Sequence, residues 1–417
     1  MTRVLAAIVV PPHLSMSGGA RAAEQLSAAL SSDCDMTVAS MMTADVTGLG
    51  AARNAVRRAR VSSSLPAPLS LSRLPNRYRT LFYRSNIPQI VDSGRYDLVH
   101  IHNPMPAIEM ERVARACLRA GIPYVVSTHG FNEVWNGNQI YDFNLAKKLV
   151  WRSLVQGPVA RVVRRASGIF ALSSADFPII REMGYTGDEL TVVPNGVDAP
   201  QPFDPARDAA ILARRAIPAE KSRGQITCMF LANHTPNKGL PILLEAFAKL
   251  QRPYLLIIGG EKRGDVDYER YINSCRAGQR IIVTGRLDDD EVGSLYRRSD
   301  LFVFPTLADT FPLVVLEAMA HGTPVLASRV GGIPHQFNDT CGRLVTPGDA
   351  AGLCAAIDDL ADTPERLQAM GRAARDHVEN HFSWSRAATH ALAGYDRVLR
   401  EKRCASLSQA QMTAQTI

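Results

Sequence analysis

TLADTFPLVVLEAMAHGTPVLAS (306–328) is the stretch on which the reading of this chain turns. An apolar run carries two carboxylates, Asp309 and Glu317, eight positions apart, and Gly-Thr-Pro closes it ahead of a short β-like segment. Thr310 predicts a helix N-cap, Pro312 falls in the first turn, and Gly322 with Pro324 beyond it predicts the stop. Val314, Val315, Met319 and Ala320 would bury most of that helix. A carboxylate at Glu317 is then unfavourable unless something pairs with it. Asp309 precedes the helix, in the loop leaving a buried strand. Two readings stand for each acid. Glu317 either makes a salt bridge to a neighbouring helix or binds the adjacent hydroxyls of a sugar; Asp309 either caps the helix or does the same.

Working outward, the same strand-loop-helix unit recurs. Strands are predicted at 4–10, 35–41, 96–103, 122–130, 167–173 and 190–197, and helices at 110–121 and along the Ala22, Leu26, Ala29, Leu30 face. Residues 198–224 break the rhythm with prolines and charge, which predicts a connection and a peripheral helix. It restarts with strands at 226–233, 254–260, 280–285, 300–306 and 324–330. The expectation is an α/β protein of two Rossmann-like parallel-sheet domains facing one another, with ligand groups at the carboxyl ends of the strands. The domains are placed at 1–198 and 199–385, followed by a helix at 386–402 returning to the first domain and a flexible tail at 403–417.

A chain of 417 residues, 46% hydrophobic and 21% charged, is long enough for two or three cores and excludes a disordered or fibrous class. Seven dispersed cysteines argue against a disulfide framework and a cysteine zinc site. MTRVLAAIVVPPHL (1–14) reads as a first strand and not a signal peptide, and no apolar run is long enough to span a bilayer. Charge is uneven: residues 1–170 hold 20 Lys/Arg against 10 Asp/Glu, while the remainder is slightly acidic. The densest basic run is Arg53, Arg57, Arg58, Arg60, Arg73, Arg77, Arg79 and Arg84. It suits an anionic surface or plain solvent, and lacks the aromatics of a nucleic-acid platform.

Several further residues have the right chemistry. Gly18 and Gly19, between the first strand and helix, allow backbone approach to an anion, or form an ordinary turn. Lys238 ahead of a helix is a phosphate candidate or a surface lysine. Gly259 and Gly260 suit close approach or a turn. His129 ends a strand and can donate to a hydroxyl or act as acid or base. His100 and His102 alternate on one face, but no third spaced ligand follows, so no metal site is expected. The run at 288–290 (DDD) reads as a polar turn.

Together these elements resemble the retaining, sugar-nucleotide-dependent glycosyltransferases of the GT-B fold, family 4 or "glycosyl transferases group 1". DTFPLVVLEAMAHGTPV (309–325) looks like that family's paired-acid motif. SGGA (17–20), STHG (127–130), VVPNGVD (192–198), NKG (237–239), VGGIPHQF (330–337) and CGRLVTPGD (341–349) support it over nearly the whole chain. The resemblance implies a UDP-, GDP- or ADP-linked sugar as donor substrate and no tightly bound cofactor. It implies Glu317 on the ribose, Asp309 on the transferred sugar, and Lys238 with the backbone around Gly19 on the diphosphate. Leu313 and Val314 would offer backbone amides, Leu287 would neighbour the base, and His129 would lie near donor sugar and acceptor. Three departures stand out. Asp309 replaces the usual Glu, Asn233 the usual Arg (with His234 or Arg286 as substitutes), and His335 a frequent Glu. The implied acceptor is a lipid-linked or surface-polysaccharide intermediate, at the cytoplasmic face of the plasma membrane, with peripheral contact to anionic lipid and no nucleic acid. A GT-B-like sugar-nucleotide epimerase is the alternative, and a basic nucleic-acid-binding module a third.

Overall fold

A computed structural model of the chain describes residues 1–12, 18–42, 56–66, 79–140, 143–263 and 266–415, with side chains excluded at 138–140 and 405–415. Ser15, Ser17, Arg53, Arg73 and Arg77 lie outside the described residues. The chain divides into two compact units, Met1–Gly196 with Trp384–Ile417, and Val197–Ser383.

In the first unit the strands are β1 (Arg3–Ile8), β2 (Asp35–Ser40), β3 (Arg57–Arg58), β6 (Leu98–His102), β7 (Tyr124–Ser127), β8 (Gly168–Ala171) and β9 (Leu190–Val192), with a small antiparallel pair β4 (Ser63–Ser64) and β5 (Arg84–Ser85). The main sheet is wholly parallel in the order β3-β2-β1-β6-β7-β8-β9. Its inner strands β1, β2, β6, β7 and β8 are buried on both faces, and so they read in the sequence as mostly apolar runs, whereas the edge strand β3 is exposed and β9 half-buried. Helix α1 (Gly18–Leu30) follows β1, and α2 (Ala107–Arg119) follows β6.

The second unit repeats the plan with β10 (Ile226–Leu231), β11 (Tyr254–Gly259), β12 (Gln279–Gly285), β13 (Leu301–Phe304), β14 (Val325–Ser328) and β15 (Gly342–Val345), parallel in the order β12-β11-β10-β13-β14-β15. Its helices include α3 (Leu240–Lys249), α4 (Asp289–Arg298), α5 (Leu313–Ala320) and α6 (Pro364–His381). The break at 198–224 contains a helix, Pro205–Arg214, capped by Asp204. Each sheet has a switch point, β1 beside β6 and β10 beside β13. There consecutive connections diverge and open a crevice at the carboxyl edge.

Helix α7 (Trp384–Gln415) belongs to the first unit and runs well past 402, where the sequence reading expected a flexible tail to begin. No glycine or proline interrupts residues 396–415, which suits a continuous helix. Its Tyr395 hydroxyl lies 2.7 Å from His100 Nδ1, and Ser127 Oγ lies 2.8 Å from His100 Nε2. The basic run is partly absorbed into structure. Arg58 forks onto the buried carboxylate of Glu24 at 2.8 Å through both nitrogens, and Arg57 pairs with Asp35 at 3.4 Å. The acidic run 288–290 is a helix start and not a turn: Asp288 caps α4 in a reciprocal box with Glu291.

Candidate active site

The second unit gathers its polar groups at the switch point. Beyond β10 the chain makes a short 3-10 turn, Pro236–Lys238, and reverses at Gly239 with φ 73° before α3. A Cβ on Gly239 would stand 1.8 Å from the carbonyl oxygen of Pro305, so the Lys238 turn lies hard against the loop leaving β13. Backbone and side chain knit the two together. Leu307 N and Thr306 Oγ1 both donate to the Asn237 carbonyl, at 2.7 and 2.9 Å. The result is a direct ion pair: Lys238 Nζ donates to Asp309 Oδ2 at 2.7 Å, with both side chains mostly buried. Two residues 71 positions apart in sequence thus meet across the β10/β13 crevice. Gly239→Ala combines an unfavourable φ with a backbone clash and should lower stability by roughly 2–4 kcal/mol, read as an earlier melting transition.

Asp309 Oδ1 accepts the Thr310 N–H at 3.0 Å, a local turn and not a helix cap. Thr310 does not cap either; its hydroxyl is buried without a partner among the described residues, and Pro312 occupies the N-cap position with no side-chain bond. Proline supplies the extended backbone needed there, and the N–H groups at the start of α5 keep no side-chain acceptor. The turn is fixed instead by the loop after β14, since Gly332 N donates to the Thr310 carbonyl at 2.7 Å and Gln336 Nε2 to that of Pro312 at 2.9 Å. The C-terminal stop is as expected, with Gly322 at φ 76° and Thr323 N returning to the Ala318 carbonyl.

Helix α5 buries Val315, Leu316, Ala318, Met319 and Ala320, and leaves Leu313, Val314, Glu317 and His321 partly open. Those four positions follow helical spacing and share one face. Val314 and Glu317 therefore stand on a single stripe that begins at the uncapped helix start, and Glu317 is not immersed among apolar side chains.

The flanking strands contribute backbone. Gly260 has φ 120°, and a Cβ there would stand 1.7 Å from the Ala232 carbonyl oxygen. Leu287 is buried against Gly259. Asn233 is half-buried after β10. His234 is turned inward and does not substitute for the missing arginine. Its Nε2 lies 3.2 Å from the Gly259 carbonyl, its Nδ1 meets the Tyr268 hydroxyl, and burial lowers its pKa, which favours the uncharged ring. Arg286 is exposed at the end of β12.

In the first unit the crevice lies between the ends of β1 and β6. Gly18 faces open space, whereas a Cβ on Gly19 would lie 2.9 Å from Asn103 Nδ2 and 3.1 Å from His129 Cβ. Gly19, Asn103 and His129 therefore converge, from the first turn of α1 and the loops after β6 and β7. Asn103, the polar residue closing the run VHIHN, stands out in the sequence only as a companion of His100 and His102 in a metal set that lacks a further spaced ligand, and not as part of this crevice. It holds φ 68° without being glycine, and its buried Oδ1 has no partner among the described residues. His129 is buried, and burial pulls its pKa down to about 4, so it is a neutral imidazole near pH 7. His100 falls to about 3 and His102 well below the usual value, for the same reason. The His100 and His102 ring centroids lie 3.8 Å apart with the planes tilted by 32°, and those of His102 and His129 lie 5.9 Å apart.

Two parallel sheets, each presenting polar groups at the carboxyl edge of its switch point, define an α/β protein of the GT-B class. Residues 215–377 match the family model described as Glycosyl transferases group 1, and residues 16–200 that described as Glycosyltransferase Family 4. D-inositol 3-phosphate glycosyltransferase of Arthrobacter sp. (strain FB24) is 30% identical over 345 residues, 80% of this chain and 79% of the relative. The 2-deoxystreptamine glucosyltransferase of Streptomyces kanamyceticus is 27% identical, over 74% of this chain and 79% of its own. The chain belongs to this glycosyltransferase family. Among solved structures, HepE from Anabaena in complex with UDP and glucose superposes with a TM-score of 0.70 at 17% identity, over 95% of this chain and 100% of that one. Sucrose-phosphate synthase from Thermosynechococcus elongatus gives 0.69 at 19%, over 96% and 100%.

Proposed function

We propose that this glycosyltransferase moves a sugar from a nucleoside diphosphate to an acceptor hydroxyl with retention at the anomeric carbon. The observation that carries the reading is the Lys238–Asp309 ion pair across the β10/β13 switch point, one loop away from the Glu317 stripe. An ammonium has three donors, so Lys238 can keep Asp309 while gripping a diphosphate oxygen. Asp309, held by Lys238 and the Thr310 N–H, then presents its remaining lone pairs to sugar hydroxyls. Glu317 takes the two ribose hydroxyls, and the free N–H groups at Leu313 and Val314 add dipolar stabilisation to the leaving diphosphate. Leu287 lies beside the base. His129 hydrogen-bonds donor sugar or acceptor as a neutral ring, and the departing diphosphate oxygen takes the acceptor's proton.

UDP is the donor nucleotide we favour, because the HepE structures hold UDP, UDP-glucose, and UDP with glucose. For the acceptor we favour a lipid-linked or surface saccharide and contact with anionic membrane, supported by the basic excess of residues 1–170. The epimerase and nucleic-acid readings are set aside, since the relatives reported above are transferases. A melting screen with UDP-, GDP- and ADP-sugars tests the donor assignment. At ligand about 100-fold above Kd the stabilisation is about 2.7 kcal/mol, and Glu317→Ala should lose most of it. Equal shifts in both proteins, or none with any nucleotide, would refute the assignment.

A further inference from the structure

The first unit carries a projecting helix that its own core does not use. Leu145–Trp151 has no buried residue; Leu145 is 85% exposed, Leu149 66% and Val150 47%. Three large apolar side chains within six residues are thereby left in water. The segment is nonetheless well held. Asn144 caps it by accepting the Lys147 N–H at 3.0 Å, and Trp151 pins it by donating Nε1 to the Val134 carbonyl at 2.9 Å. The Phe143 ring packs edge-on against Trp151, with centroids 5.5 Å apart. Beyond Trp151 the helical rod continues through Arg152–Gln156 into Gly157–Arg164, which buries Val159, Val162 and Val163. The inner end is anchored in the core and the outer end stands free.

Charge identifies what covers it. Residues 143–156 contain Lys147, Lys148 and Arg152 and no acid. None of the three cations joins an ion pair among the described residues, unlike Arg57 and Arg58 in the basic run upstream. By helical spacing Leu145, Lys148, Leu149 and Arg152 fall on one face. Leucines flanked by long cations on that face suit a lipid headgroup layer: the apolar ends enter the acyl boundary while the cations reach outward to phosphates. A nucleic acid would answer the charge and leave the leucines in water.

We propose that Leu145–Arg152 is the element by which this protein docks on an anionic lipid bilayer. The proposal rests on the membrane contact in the reading above and names the surface that makes it.

The test is co-sedimentation of the full chain with vesicles of phosphatidylcholine, alone or with about one-quarter phosphatidylglycerol, at about 0.1 M salt. Wild type should bind the anionic vesicles, and Leu145→Glu/Leu149→Glu should weaken binding by about tenfold or more. Lys147→Glu/Lys148→Glu should remove the preference for anionic lipid. Nucleotide-induced melting shifts should be unchanged in both variants, which shows them folded and keeps the donor site apart from this one. Vesicle binding that both variants retain would overturn the helix assignment and leave membrane contact standing elsewhere. No vesicle binding by wild type would overturn both, including the case in which the glutamates instead dissolve a dimer of this chain.

Discussion

Lys238→Ala should lower turnover by about 10²–10³-fold at saturating donor, with a smaller effect on folding stability. The ammonium meets Asp309 at the β10/β13 crevice, and it stands on a turn that cannot relax, since Gly239 abuts Pro305. Loss of the glycosidic bond places new negative charge on the diphosphate. A fixed donor there stabilises the transition state more than the ground state, so the effect should fall mainly on kcat. Asp309→Asn separates the roles. It keeps a side chain of the same shape that can still accept from the Thr310 N–H, yet removes the charge that orients Lys238. A loss in the alanine variant that matched its loss of folded protein would count against this account.

Much of the frame behind that prediction was legible in the sequence. YLLIIG and LFVF read as buried parallel strands because helices cover both faces of such a sheet, and the polar residues closing each run mark the carboxyl edge. The acids and the lysine were legible as types of residue. Their meeting was not, because it depends on the sheet order that sets β10 beside β13, and on loop contacts between Asn237 and 306–308 that carry no periodic signal. The start of α5 was misread for a local reason: Thr310 is a better N-cap by propensity than Pro312, but tertiary bonds to the 332–336 loop set the turn. The immersion of Glu317 was overstated because a mostly apolar helix hides which stripe faces outward. The place of Asn103 beside Gly19 and His129 was not legible, since a left-handed backbone at a non-glycine residue leaves no trace in composition.

Acidification from pH 6.5 towards 4 should destabilise the first unit by several kcal/mol, a large fraction of the stability of many domains. His100, His102 and His129 are buried with their folded pKa values depressed, to about 3 and about 4 where a value is set. Unfolded histidine takes its proton near 6.5. Between these limits the unfolded chain binds more protons, so their contribution is fully present above about 6.5 and is lost as pH falls through that window. Asp176 acts the other way. Burial raises its pKa to about 6, although Thr128 Oγ1 and the Leu172 N–H both donate to it. The folded state therefore holds this proton between about 6 and 4, which offsets roughly one histidine. About two protons remain in excess on unfolding, each worth about 1.4 kcal/mol per pH unit. Urea unfolding followed by a probe in the first unit reads this slope directly. Tyr395→Phe, which removes one hydroxyl partner of His100, should lower stability without abolishing the slope. A flat profile over this range would show that the histidines are more open to water than the structure indicates.

The central claim is that the carboxyl edge of the second sheet holds a nucleoside diphosphate between Lys238 and Glu317. Calorimetric titration of the full chain with UDP, GDP and ADP measures this most directly. One nucleotide should bind at a single site in wild type, about tenfold or more weaker in both Lys238→Ala and Glu317→Ala, and unchanged in His129→Ala. Equal affinity across the wild type and the Glu317 and Lys238 variants, or no heat with any of the three nucleotides, would contradict it.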